Sequence, residues 1–239
     1  MQRKRGTRRK QRGGSKHLVF YTCYFGPSAN VADKIPEKPS AKYKCYYFSN
    51  NRNTLQSAEA KGFIPVFIDT PIKSTDRDNA VDSKELKACP HHFPELRGYT
   101  YTCYFDSKLH VMEHDVEEFI KNELKEPVVI LLNSHPTNKT SVWQEYKNAM
   151  PSKRYAVNNS KYRSLIERKV KEGMKNTAEN HYETGFIIRK SGPLVEKMGE
   201  EWLTDIRETG AECQISFFFI QQTYKNYVKP LSRYYGASK

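Results

Sequence analysis

The chain predicts a single α/β domain of the Rossmann type, built on a mostly parallel central sheet. Two observations carry that expectation. Its 239 residues, 37% hydrophobic and 13% aromatic, suit one folded domain large enough to bury a sizeable core. Along it, short β-branched and aromatic runs alternate with longer amphipathic stretches, the alternation that builds parallel sheets through βαβ units.

The elements follow in order. "HLVFYTCYF" (17–25) reads as a buried strand stopped by the breaker "GPS", and "YKCYYFS" (43–49) and "FIPVFID" (63–69) are similar runs. Between the last two, "NNRNTLQSAEAKG" leaves room for a short turn of helix before Gly62. "DSKELKACPHHF" (82–93) reads as a helix capped by Asp82 or Ser83 and stopped at Pro90. A strand containing a second "YTCYF" (101–105) comes next, then an amphipathic helix (114–125) with Val116, Phe119, Ile120 and Leu124 on one face. "PVVILLN" (127–133) is a strand, 141–150 and 160–174 are helices, "YETGFIIRK" (182–190) is a strand and 194–208 a helix. "CQISFFFIQQTYKNY" (213–227) has a strand-like composition, but its Ile215, Phe218, Phe219 and Gln222 spacing favours a buried helix.

The pentapeptide "YTCYF" at 21–25 returns at 101–105, followed once by Gly26 and once by Asp106. The flanking residues do not match, so the repetition reads as two central strands with the same burial on each side rather than an internal repeat. Ligands of open parallel sheets collect outside the carboxyl ends of the strands. Gly26 would let a backbone approach a ligand there, and Asp106 would place a carboxylate at the same edge. A nucleotide diphosphate with a cation suits that pair, while a turn-capping aspartate is the structural alternative.

Charge is concentrated at the start. Eight of the 40 Lys/Arg lie in residues 1–16, which hold no acid, so the net charge falls from +13 to +5 without them. Residues 1–16 therefore read as a disordered basic tail ahead of a domain at 17–239, serving as an address, a contact to nucleic acid or an anionic surface, or a solubilising arm. The body has no Lys/Arg stripe interleaved with aromatics, so nucleic acid enters only through the tail. No window approaches a membrane span and no signal-peptide pattern is present, so a cytoplasmic protein is expected. Five cysteines without CxxC spacing read as buried free thiols rather than disulfides or a zinc site. The sequons at Asn138 and Asn158 are then incidental.

Together, "VFYTCYFG", "KELKACPHHFPELRGYTYTCYFDSKLHV", "NSHPTNKTSVWQEY", "YETGFIIRK" and "CQISFFFI" resemble, in order and spacing, a family of glycosyltransferase-like domains. That family includes the plant turgor-regulation-defect and mucilage-related proteins, with relatives in bacteria and large DNA viruses. The likeness spans roughly residues 17–228. It implies a GT-A-type fold and a sugar transfer from a nucleoside diphosphate, UDP by expectation, to a glycan or protein acceptor. A virus that glycosylates its own particles in the host cytoplasm would fit.

The resemblance also implies roles. Asp106 stands where the DxD carboxylate of such enzymes holds a divalent cation, Mn²⁺ or Mg²⁺, on the donor diphosphate. Thr22, Tyr24, Gly26, Lys84, Lys87, His91 and Lys108 fall to the donor side, His135 and Glu145 to the acceptor, and Glu183 and Gln214 join Asp106 as catalytic candidates. Glu145 and Glu183 have the chemistry of a general base or of groups that orient acceptor hydroxyls. Two departures stand out. "DSK" lacks the second acid of DxD, so Lys108 is a candidate to replace metal with positive charge. The family's "RDQ" triplet is here Glu212-Cys213-Gln214, which favours, as the alternative, a non-catalytic GT-A-fold module that binds glycan or nucleotide.

Overall fold

The computed structural model describes residues 16–27, 35–137 and 140–235. The basic tail, apart from Lys16, and the sequon at Asn138 lie outside the described residues. Seven strands form one sheet in the order β3-β2-β1-β4-β6-β5-β7: β1 (Lys16–Cys23), β2 (Lys44–Ser49), β3 (Ile64–Phe67), β4 (Tyr99–Phe105), β5 (Ile130–Ser134), β6 (Tyr182–Lys190) and β7 (Val228–Pro230). All neighbours run parallel except β6, which is antiparallel to both β4 and β5. This is the mostly parallel single-domain α/β architecture that the alternation of apolar runs predicts.

Helices cover both faces of the sheet, as a sheet buried on both sides requires. One face packs on α2 (Asp76–Ala88), α7 (Pro193–Thr209) and α8 (Cys213–Thr223) through Leu86, Met198, Trp202, Ile206, Phe217 and Ile220. The other packs on α1 (Arg52–Ala60) and α3 (Glu113–Asn122) through Leu55, Ala58, Val116 and Phe119. A third cluster joins α4 (Val142–Ala149) and α6 (Asn159–Lys171) to the outer side of α8, where Val142, Tyr162 and Ile166 meet Ile215, Phe218 and Phe219. Apolar residues thus point in several directions from α8, which is why its period is ambiguous in sequence.

Three expectations change. The stretch before Gly62 is a nine-residue helix, because the Asn51 side chain accepts hydrogen bonds from the backbone N–H groups of Asn53 and Thr54. Helix α2 begins six residues ahead of Asp82, capped by Thr75, whose side chain accepts from the Asp78 N–H. The two "YTCYF" copies are parallel neighbours, but Tyr21 pairs with Tyr104 and Leu18 with Tyr101. A three-residue stagger sends equivalent side chains to opposite faces of the sheet. Tyr21 joins the α2–α7–α8 core, whereas Tyr101 packs on the α1–α3 side. The copies therefore do not share an environment, and Asp106 comes level with Cys23 rather than Gly26.

Candidate functional site

At the carboxyl ends of β1 and β4 a cavity of about 360 Å³ is lined by Cys23, Tyr24 and Phe25, by Tyr104, Asp106, Ser107 and Lys108, by Ala80, Ser83 and Lys84 of α2, and by Arg154 and Tyr155. The last two sit on α5 (Lys153–Ala156). That size suits a small ligand. Lys84, Lys108 and Arg154 make the lining strongly positive, and Asp106 is its one carboxylate among the described residues.

Asp106 is committed on its protein side. Tyr104 donates its hydroxyl to Oδ1 at 2.7 Å, and the Lys87 ammonium lies 3.0 Å from the same oxygen. The Asp106 backbone N–H donates to the Gly185 carbonyl at 2.7 Å. A Cβ on Gly185 would meet Oδ2 at 3.2 Å, so the missing side chain makes room for the carboxylate. Burial raises the Asp106 pKa, but the charges of Lys87 and Lys84 and the Tyr104 hydroxyl outweigh it and hold the group below its ordinary value. For Lys84 burial opposes the charge, and Cys213, Asp106 and Glu212 nearby raise its pKa nonetheless. Both groups are ionised at neutral pH. Burial, then the Asp106 charge, pushes the Cys23 thiol to about 11, so it is no nucleophile.

Such a lining does not fit a divalent cation. Mg²⁺ and its congeners require several oxygen ligands with little competing positive charge. Here Oδ1 already faces an ammonium and a phenol, and no second carboxylate lines the cavity among the described residues. The chemistry suits an anion, which Lys84, Lys108 and Arg154 can neutralise directly.

Farther along the same edge, β5 and β6 carry a second group. Between Leu132 and Asn133 the pairing of β5 jumps from Ile187 to Glu183, freeing residues 184–186 of β6 from that partner, while on the other side of β6 the ladder with β4 continues past Phe105–Phe186 to Asp106 and Gly185. Glu145 of α4 is buried with its Oε2 3.3 Å from His135 Nε2 and 3.4 Å from His181 Nε2. Gln214 donates its side-chain amide to Glu145 Oε1 at 2.9 Å and accepts from the Thr184 N–H at 3.4 Å. Burial first, and the His181 charge, lower the His135 pKa despite Glu145, leaving a neutral imidazole at pH 7. A cavity of about 210 Å³ opens on His135 and His181 beside Ser134, Glu179 and Asn180.

Of the donor-side residues, the fold brings Tyr24, Lys84 and Lys108 to the Asp106 cavity and leaves the others off its wall. Lys87 is only 2% exposed and acts on Asp106 from behind. Thr22 is wholly buried, and its hydroxyl finds no partner among the described residues. Gly26 has φ +137° and is tied into the β2–α1 junction: its N–H donates to Asn50 and its carbonyl accepts from Asn51. The glycine serves that turn rather than a ligand's approach. His91 lies at the opposite edge of the sheet, lining a cavity of about 400 Å³ with Gly98, Arg189 and Ser191. Glu183 accepts a hydrogen bond from Tyr234 at 2.7 Å, beside His135 rather than Asp106. Glu212 caps α8, accepting from the Gln214 N–H at 3.1 Å. Burial, then Glu145, raise its pKa.

Arg154, Tyr155, His181 and Thr184 escape the sequence reading. Only His181, at the mouth of a strongly apolar strand, carries a signal that could have found it.

No protein-family model matches this chain, and no curated protein matches it. Among the solved structures similar to it are two sugar-handling enzymes. The apo form of mouse xyloside xylosyltransferase 1 is 12% identical, with 90% of this chain and 84% of that one covered at a TM-score of 0.49. CMP:2-keto-3-deoxy-manno-octonic acid synthetase complexed with CTP is 9% identical, with 90% and 89% covered at a TM-score of 0.45.

Proposed function

We propose that the chain is a glycosyltransferase that holds the diphosphate of a nucleotide sugar, UDP-linked by preference, with cationic side chains in place of a divalent cation. One observation carries this reading: a cavity at the carboxyl edge of a mostly parallel sheet, its wall bearing Lys84, Lys108 and Arg154 around a single, internally paired carboxylate. Binding sites of such sheets gather at that edge, and Lys and Arg pair with phosphate oxygens.

In the proposed reaction an acceptor hydroxyl oxygen bonds to the anomeric carbon as the bond from that carbon to the diphosphate breaks. The three cations stabilise the negative charge that builds on the leaving diphosphate. The Glu183 carboxylate accepts the hydroxyl proton, beside a His135 imidazole whose two nitrogens are held by Glu145 and by the Thr137 N–H. Gln214 is a positioning residue, since it braces Glu145 from the first turn of α8. Tyr155 supplies an aromatic wall for a base or sugar ring.

Calorimetric titration of UDP into the full chain, in EDTA and then in Mn²⁺, tests the donor half. Binding of equal strength in both, weakened by Lys84→Met and Arg154→Ala, is expected. A strict requirement for Mn²⁺, or affinity indifferent to both substitutions, overturns it.

A second reading rests on Cys213. Where the resembled family has an aspartate, this thiol is buried 3.3 Å from the Thr184 hydroxyl and lies off the cavity wall. If that missing acid is essential, the chain binds a nucleotide sugar or glycan without turning it over. UDP binding with no UDP release from UDP-sugars in the presence of acceptors would decide for it.

A further inference from the structure

We infer that Cys89, His91, His92 and Glu200 form a site for a single Zn²⁺-type ion that clamps the end of α2 to α7. One ligand atom from each of the four lies within 4.8 Å of all the others. The donor set of one sulfur, two imidazole nitrogens and one carboxylate oxygen is that of a tetrahedral zinc centre.

Local structure assembles the set. After α2 ends at Ala88, a 3-10 turn over Pro90–His92 directs both imidazoles to one side, their centroids 4.6 Å apart. Helix α7 supplies Glu200, whose Oε1 lies 2.9 Å from His91 Nε2 and 2.5 Å from His92 Nε2. That approach depends on Gly199: a Cβ there would stand 2.4 Å from the Ala88 carbonyl oxygen and 3.3 Å from Cys89 Sγ. Ligand atoms around a tetrahedral zinc are about 3.3 Å apart, so the Glu200–imidazole pairs at 2.9 and 2.5 Å must open slightly, and the widest pairs, within 4.8 Å, must draw in around the ion.

The surroundings support ligation as well. Glu85 lies 2.7 Å from His92 Nδ1, which fixes the ring and leaves Nε2 facing Glu200. A carboxylate on the far nitrogen is the usual support of a metal-bound histidine. Arg207 in turn contacts Glu85 at 3.0 Å. Cys89 is buried while Glu200 is open to solvent, so an ion can enter from the Glu200 side.

The test uses the untagged full chain, stripped with a chelator and titrated with Zn²⁺ against a competing chromophoric chelator. Co²⁺ is then used as the spectroscopic probe. The expected result is one ion per chain, a rise in Tm with Zn²⁺, and a tetrahedral cobalt spectrum with a thiolate charge-transfer band. Cys89→Ser should remove that band, and Glu85→Gln should keep it while weakening affinity about 10–100-fold. Absence of tight Zn²⁺ binding, a cobalt spectrum without the thiolate band, or a band that survives Cys89→Ser overturns the assignment. Should Cys89→Ser fail to fold, the wild-type cobalt spectrum and Glu85→Gln still decide it.

Discussion

Asp106→Asn tests how the site is wired, because it keeps the shape of the side chain and removes only the charge that faces Lys87. The Lys87 side chain is 2% exposed and that of Asp106 32%, with 3.0 Å between Nζ and Oδ1. A buried charge stripped of its partner costs about 3–5 kcal/mol. The retained amide oxygen and water at the open side of residue 106 reduce this to about 2–3 kcal/mol. At roughly 2–4 °C per kcal/mol for a domain of this size, Tm should fall by about 4–12 °C. Lys87→Met should cost less, about 1–2 kcal/mol, since the carboxylate left behind keeps Tyr104, Lys84 and solvent.

The double variant Lys87→Met/Asp106→Asn should recover most of the loss, as removing both members of a buried pair is close to neutral. Urea unfolding of the four proteins at pH 7 measures the cycle. An Asp106→Asn cost under about 0.5 kcal/mol, or additive single effects, would mean that Lys87 and Asp106 are not coupled as a buried pair. The sign with pH is fixed as well. A depressed carboxylate pKa adds stability that is complete above the ordinary value of 3.8 and lost as pH falls through the folded value. Lys87→Met should therefore begin acid unfolding at higher pH than wild type. It follows that Asp106 variants are poor reporters of donor binding, and that Lys84 and Arg154 are the better probes.

Three further outcomes are expected. Gly199→Ala drives a Cβ into the Ala88 backbone carbonyl and should cost about 1–3 kcal/mol, whereas Gly185→Ala meets only the Asp106 carboxylate and should cost about 1 kcal/mol; chemical denaturation ranks them. Glu212→Gln keeps an acceptor for the α8 cap and should be neutral or stabilising at pH 7, because the raised pKa of Glu212 means that folding disfavours its ionised form. Glu212→Ala loses the cap at about 1 kcal/mol, and equal costs for the two would exclude this account. For His135, whose pKa lies below its ordinary 6.5, the unfolded chain binds the proton more readily. Its contribution to stability is complete above pH 6.5 and lost as pH falls below it; Glu145→Gln should lower the imidazole pKa further by NMR titration, and an upward shift would contradict the geometry.

What the sequence revealed and what it hid divide along a physical line. Strands β1 and β4 are legible because burial on both faces demands uninterrupted apolar runs. Strand β7 is three residues long and ends in proline; at the sheet edge its backbone has one neighbour, so little in composition marks it. The start of α2 is missed because its first turns are polar, and the Thr75 cap carries a signal weaker than the apolar period used to find helices. The stagger of the two "YTCYF" copies is invisible in principle. It depends on how two strands slide past each other, which each strand's own letters do not record.

The site is harder to read for the same reason, and α2 shows why. Lys84 and Lys87 are one turn apart and look like a single basic face. The sheet beneath them separates their tasks, leaving Lys84 on the cavity wall and sealing Lys87 behind Asp106. The guanidinium of Arg189 donates to the Lys87 carbonyl at 2.6 Å and to the Tyr21 hydroxyl at 3.0 Å, placing a cation at the negative end of the α2 dipole. Just beyond, Cys89, His91 and His92 meet Glu200 of α7. One helix therefore links the cavity lined by Lys84, Lys108 and Arg154, the buried pair beneath it and the four-residue cluster at the far edge of the sheet.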